Sequence, residues 1–366
     1  MSSRFIPQNP PAKPTAPVAE PANARTADTK PANSEPGSAG PDSAEPDSAE
    51  PDSAGVQLYF GQATETGCRV HAVYRAAAEP ASVDPQGVLY GPESPYAATL
   101  RARHPFGRRP GAADKPAEAW IAEPCFWTPA APYVYRYEFR FPAPAAPVTG
   151  ILGIRRLAAQ GDHLVFDRKH WVLRGAWAEP LAEIVPGEFS LGHVAQGEGA
   201  GVLPAGEQRL PLAAWHEVPL AAAADNPPDR LCELASRLGV LLVARVAGGA
   251  DVGAELRRLA RWPAVGIAIL AAPPNDDDPR RHARNLLFAQ SVSAGAALKP
   301  AAWAHLLFCE VADAADFARK VAGCRLPIVA LRPGGDWSSP VEARAACDRL
   351  QRDLAAEGLQ MAGYLV

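Results

Sequence analysis

The chain has 366 residues, 39 of them proline, with 36 basic and 40 acidic side chains and a formal net charge of −4. Residues 1–55 hold four basic and eight acidic groups, so the remainder is balanced, which removes the electrostatic reason to expect nucleic acid or an anionic membrane as partner. No run of about 18 apolar residues predicts a membrane span, and MSSRFIPQNPPAKP lacks an apolar leader, so the expected location is the cytoplasm.

Residues 1–54 are rich in Pro, Ala, Ser and acid and repeat PDSAE at Pro41–Glu45 and Pro46–Glu50. Too little apolar surface is present to offset the entropy of ordering, which predicts a disordered tail. Short strands are expected from Val56 onward, at Val56–Phe60, Arg69–Tyr74, Val88–Tyr90, Ala97–Arg101 and Ala119–Ile121, divided by Gly, Pro and Asp turn signals. The stretch YVYRYEFRF at Tyr133–Phe141 alternates apolar and charged residues, the pattern of a strand with one buried face. Trp127 and Tyr133, at a Pro-rich corner before it, are read as corner packing, with stacking on sugar as the alternative.

The stretch around Gly197–Gly201 has no Gly-Lys-Ser/Thr and is not a phosphate cradle. His216-Glu217 opens like a metalloprotease helix, but Val218-Pro219-Leu220 supplies no second His. From Pro228 helix and strand alternate. Helices are predicted at Pro228–Leu238, Val252–Trp262 and Asp313–Ala322, and from Pro340. The strands are continuous apolar runs at Val240–Val246, Val265–Ala271, Leu286–Val292, His305–Val311, Pro327–Leu331 and Leu359–Val366, as a parallel sheet covered on both faces requires. Trp171–Gly175 as a first strand and a weak second one within Phe189–Leu220 make eight, a (β/α)8 barrel in about 200 residues. A doubly wound sheet is the alternative.

Gly153-Ile154-Arg155, Leu164-Val165-Phe166, Asp167-Arg168-Lys169 and Leu173-Arg174-Gly175 together resemble the sandwich-to-barrel joint of family 2 glycoside hydrolases, the β-galactosidase, β-glucuronidase and β-mannosidase group. There the joint reads Gly-hydrophobic-Arg, a short strand, Asn-Gly-Lys, then hydrophobic-Arg-Gly. Phe126-Trp127-Thr128-Pro129 is similar to the same family's Trp-Ser-Pro corner. The resemblance implies an immunoglobulin-like β-sandwich over 56–165 and a short or degenerate (β/α)8 TIM barrel over 166–366.

It also implies two catalytic carboxylates at strand ends. In register, Ala272-Pro273 stand where the family has Asn-Glu after strand four, and Arg332 stands in the nucleophile's place after strand seven. The expectation is therefore a catalytically inactive, glycosidase-like protein that binds carbohydrate or serves as an interaction scaffold. The alternative is a divergent hydrolase using Glu310 with Glu179 or Asp336. Candidate ligand-binding residues are Trp177, Glu179, Glu310, Asp336 and Trp337. No cofactor or metal is implied: the Asp276-Asp277-Asp278 run lacks Ca²⁺-loop spacing, and the six scattered cysteines have no zinc spacing.

Overall fold

The computed structural model describes residues 55–75, 86–108, 117–141, 146–177, 215, 217–248, 251–271, 278–335 and 337–366. The expected tail, the glycine-rich stretch at 197–201 and His216 lie outside them.

The first part is a sandwich. Strands β1 (Gly55–Phe60), β2 (Gly67–Arg75), β3 (Gln86–Glu93), β4 (Ala102–Pro105), β5 (Gly107–Arg108) and β6 (Ala117–Ala122) are followed by a two-strand corner, β7 (Trp127–Thr128) and β8 (Ala131–Pro132), then β9 (Val134–Arg140) and β10 (Val148–Leu152). They form two antiparallel sheets, ordered β1-β2-β6-β5 and β10-β9-β3-β4. The strand expected at Ala97–Arg101 is instead Ala102–Pro105, because 95–97 bend and only 102–105 reach a partner, pairing with β3. In β9, Val134, Tyr135, Tyr137 and Phe139 are buried while Arg136 and Arg140 reach solvent. The inner faces share a core of Cys68, Val70, Leu89, Ile121, Phe139 and Ile154.

A three-stranded sheet, β11 (Leu157–Gln160), β12 (His163–Phe166) and β13 (Lys169–Trp171), leads into the barrel. Asp167 and Arg168, at the family's Asn-Gly position, join β12 to β13 with φ of 51° and 63°. Two consecutive left-handed residues make the tight turn whose twist suits a hairpin.

Eight parallel strands close the barrel: β14 (Leu173–Trp177), β15 (Ala221–Asp225), β16 (Leu242–Val246), β17 (Val265–Leu270), β18 (Leu287–Val292), β19 (Leu306–Glu310), β20 (Ile328–Leu331) and β21 (Gly363–Leu365). The doubly wound alternative is thereby excluded. The second strand is Ala221–Asp225, not a segment within 189–220. Alanine lacks the branched or aromatic side chains that signal a strand, but here it fits a crowded interior. A Cβ on the adjacent Gly175 would lie 2.5 Å from Leu365 Cδ1 and 3.1 Å from Ala221 O.

Among the described residues four helices, α1 (Asp229–Leu238), α2 (Val252–Ala260), α3 (Ala314–Val321) and α4 (Pro340–Ala356), follow strands two, three, six and seven. Asp251, Asp313 and Ser339 cap α2, α3 and α4 by accepting backbone N–H groups at 2.7, 2.9 and 3.2 Å. After β17 the described residues hold only a 3₁₀ turn at Pro279–Arg281, and after β18 none is helical from 293 to 305. Leu157 of β11 and the loop before β19 cover the outer faces there: Leu157 Cδ2 sits 3.0 Å from where a Gly266 Cβ would be, and His305 stacks on Phe288. The short connections from β17 to β18 and from β18 to β19 fit a barrel near the minimum length. No helix of the described residues is long and apolar enough to cross a membrane.

The sandwich is pinned to the barrel's N-terminal edge. Trp127 is fully buried and its indole N–H donates to Ser236 O at 2.8 Å, while Tyr96 Oη donates to Leu238 O at 3.2 Å. Both acceptors are terminal carbonyls of α1, which an isolated helix leaves unsatisfied. Gly153 passes so near that a Cβ would lie 2.5 Å from Pro263 Cβ. Arg155 donates to Pro263 O and, at 2.6 Å, to Asn285 O, just before β17 and β18. The Gly-Ile-Arg of the joint thus has three physical duties: close approach, sandwich core and cross-link.

Candidate functional site at the barrel mouth

Side chains alternate along a strand, so residues paired across the ladder share one face. The pairing connects Trp177 with Ala223, Asp225 with Arg245, Arg245 with Ile269, Ser291 with Phe308, Glu310 with Leu331, and Leu331 with Leu365. This set faces the axis: Gly175 and its ladder partner Leu365 belong to it, whereas Arg174 of the other set bonds to Asp348 and Gln351 of α4 outside.

At the C-terminal ends the mouth therefore gathers Trp177, Asp225, Arg245, Ser291 and Glu310. The Arg245 guanidinium forks onto both Asp225 oxygens and lies 4.4 Å from the centre of the Trp177 ring. Ordering of this kind comes from two planar, bidentate groups with an aromatic floor. The cluster stays about half exposed, with side-chain accessibilities of 49% for Arg245 and 47% for Asp225. Across the mouth, Glu310 Oε2 accepts the amide of Ala294 at 3.1 Å. Strands two and six are four strands apart in the closed eight-stranded barrel and so stand on opposite sides of the mouth.

Of the residues singled out from sequence, Trp177 and Glu310 reach this mouth. Trp337 is half-buried, its ring edge-on to the buried Trp215 at 5.7 Å and 81°. Glu179, Pro273 and Asp336 lie outside the described residues. Arg332 belongs to the outward set: its guanidinium donates to Asp353 of α4 at 2.9 Å. The axis-facing position at that strand end is Leu331, which is buried and has no chemistry to offer. Asp225 and Arg245 were missed as site residues. The signal was opposite charge at two adjacent strand ends, legible only once AAAAD is recognised as a strand.

A second concavity, of about 570 Å³, lies off the mouth between β9, β10 and α1, where Tyr90, Tyr137 and Trp262 are the aromatic lining. Its charges are already engaged: Arg136 with Glu93 at 2.9 Å and Arg237 with Glu233 at 3.0 Å. Among the described residues no group of three or more His, Cys, Asp or Glu could hold a metal.

No protein-family model matches the chain, and no curated protein does. Solved structures do. A β-D-glucuronidase of Dictyoglomus thermophilum aligns at a TM-score of 0.52 with 12% identity, covering 85% of this chain and 61% of that one. A β-glucuronidase of Ruminococcus gnavus, solved with a C6-substituted uronic isofagomine, aligns at 0.54 and 12%, covering 86% and 60%. An FMN-binding β-glucuronidase of Facaelibacterium prausnitzii aligns at 0.52 and 10%, covering 86% and 55%. The chain spans about 55–61% of the length of these structures. At such identities the likeness is one of fold: the chain is built as a β-sandwich running into an eight-stranded barrel, as in the family 2-type glycoside hydrolases.

Proposed function

We propose that this protein is a non-hydrolytic relative of the sandwich–barrel glycoside hydrolases that binds carbohydrate at the barrel mouth. One observation carries the reading. The described carboxylates facing the mouth are Asp225, engaged by Arg245, and Glu310, four strands away. Retaining hydrolysis needs two free carboxylates roughly 5–5.5 Å apart, one to attack and one to protonate the leaving oxygen. A carboxylate held by a guanidinium fork is a poor nucleophile and cannot serve as an acid.

The same cluster suits binding. Arg245 presents planar donors, Asp225 and Glu310 present acceptors, and Trp177 supplies an apolar face, the combination that recognises a polyol ring. The three aligned enzymes named above act on or bind glucuronide-type ligands by their own names, which makes uronides the first ligands to try. This reading treats 56–165 and 166–366 as the two domains and keeps Glu179 and Asp336 as further candidates at the mouth.

The test is calorimetric titration with mono- and oligosaccharides beside an assay with chromogenic β-glucuronide, β-galactoside and β-mannoside. Saturable binding lost in Trp177→Ala and Arg245→Ala, without release of chromophore, is the expected result. Turnover abolished by Glu310→Gln would establish a divergent hydrolase instead. Neither binding nor turnover would move the protein to an interaction scaffold.

A further inference from the structure

A further concavity lies at the opposite end of the barrel from the mouth, where the sandwich meets the barrel's N-terminal edge. Arg155 is 6% exposed and has no acidic partner among the described residues. Its two bonds go to neutral carbonyls, those of Pro263 and Asn285. A guanidinium has five N–H donors, so hydrogen bonds to two carbonyls leave three donors to be satisfied and the positive charge without a counter-charge. Burial lowers its pKa to about 10, the mark of a cation held out of water without a counter-charge.

Beside it opens a cavity of about 150 Å³ lined by Tyr59, Phe60, Arg155, Leu157 and residues 284–287. The lining contains a second arginine and no acid. Arg284 is exposed, makes no ion pair among the described residues, and hangs over the Tyr59 ring with its carbon 5.9 Å from the centroid. Tyr59 is itself fixed by stacking on His71 at 5.1 Å, and its hydroxyl has no partner among the described residues. A narrower concavity on the other side of Arg155 adds Arg261 and again no acid.

We infer that this pocket binds a small tetrahedral oxyanion of the phosphate type, held between Arg155, Arg284 and the Tyr59 hydroxyl. The cavity takes one such group with water, and a planar guanidinium at its floor matches two oxygens of the anion. Because Tyr59, Phe60 and Arg155 come from the sandwich and Arg284 from the barrel, the anion would neutralise the buried charge and bridge the two parts. Its binding is independent of the carbohydrate reading.

The experiment is titration calorimetry and thermal melting of the full chain with inorganic phosphate, sulfate and a small phosphate monoester, against sodium chloride at equal ionic strength. Saturable one-to-one binding and a rise in Tm over the chloride control are expected, with affinity falling at least tenfold in Arg284→Ala and further in Arg284→Glu. Arg284 is exposed, so both variants should fold with Tm near that of the parent in chloride. Arg245→Ala, at the far end, should bind the anions unchanged. Preference for the monoester over inorganic phosphate would identify the ligand as a phosphorylated metabolite, and equal binding would identify the free anion. No saturable binding of any of the three, or full affinity retained in Arg284→Glu, overturns the assignment.

Discussion

Replacing Trp127 by Phe isolates one cross-link between sandwich and barrel. The indole is fully buried and its N–H donates to Ser236 O at 2.8 Å. That carbonyl has no helical donor, because the amides of Gly239 and Val240 both go to Ala235 O. Phenylalanine keeps most of the buried ring but strands the carbonyl, at a cost of about 1–3 kcal/mol. The smaller ring also leaves a void worth about 1 kcal/mol. The sum, about 2–4 kcal/mol, is a large share of a typical stability of roughly 5–15 kcal/mol yet leaves the chain folded. Tyr96→Phe removes the neighbouring bond to Leu238 O, where the tyrosine is 42% exposed and water can replace it, so about 1 kcal/mol or less is expected. The assay is urea denaturation followed by circular dichroism. The reasoning fails if Trp127→Phe costs under 0.5 kcal/mol, taking ~0.5 as the ordinary surface-mutation noise, or no more than Tyr96→Phe.

Three further outcomes follow from single features. Arg168 holds a left-handed conformation that costs an L-residue roughly 1–2 kcal/mol, so Arg168→Gly should raise stability by about 1 kcal/mol in the same assay, and Arg168→Val should lower it. His305 accepts the Phe288 amide through Nδ1 at 3.0 Å, and burial lowers its pKa. The unfolded state then binds the extra proton, so this contribution is complete above the unfolded value of about 6.5 and is lost as pH falls through it toward the folded value. His305→Asn should flatten the fall in Tm over that window, and an unchanged slope would remove His305 as its source. Cys68, Cys232 and Cys309 have thiols pushed up to about 12 by burial and Cys347 to about 11, so a thiol reagent should titrate at most Cys125 and Cys324 in the native protein and all six in denaturant.

The architecture was legible where local sequence carries a geometric demand. Gly153-Ile154-Arg155 names the seam because only glycine fits against Pro263 and only a long cation reaches two carbonyls. Leu173-Arg174-Gly175 marks strand one because glycine alone fits beside Leu365, while Arg174 reaches out to α4. The site was less legible. Ala221–Asp225 carries no strand signal, so the partner that orders Arg245 stayed hidden. Arg332 was placed at the nucleophile's position by counting, yet one residue of register turns a side chain from the axis to the outside, and that residue decides between Leu331 and Arg332. Trp337 follows a strand as a ligand platform would, and only the tertiary fold brings Trp215 against it.

The most direct test of the central claim is a calorimetric titration of the full chain with an intact aryl β-glucuronide, followed by recovery of the ligand. A saturable isotherm with one glycoside per chain, the glycoside recovered whole after prolonged incubation, is the predicted result. Stoichiometric or catalytic release of the aryl alcohol, or binding retained at full affinity in both Trp177→Ala and Arg245→Ala, would contradict it.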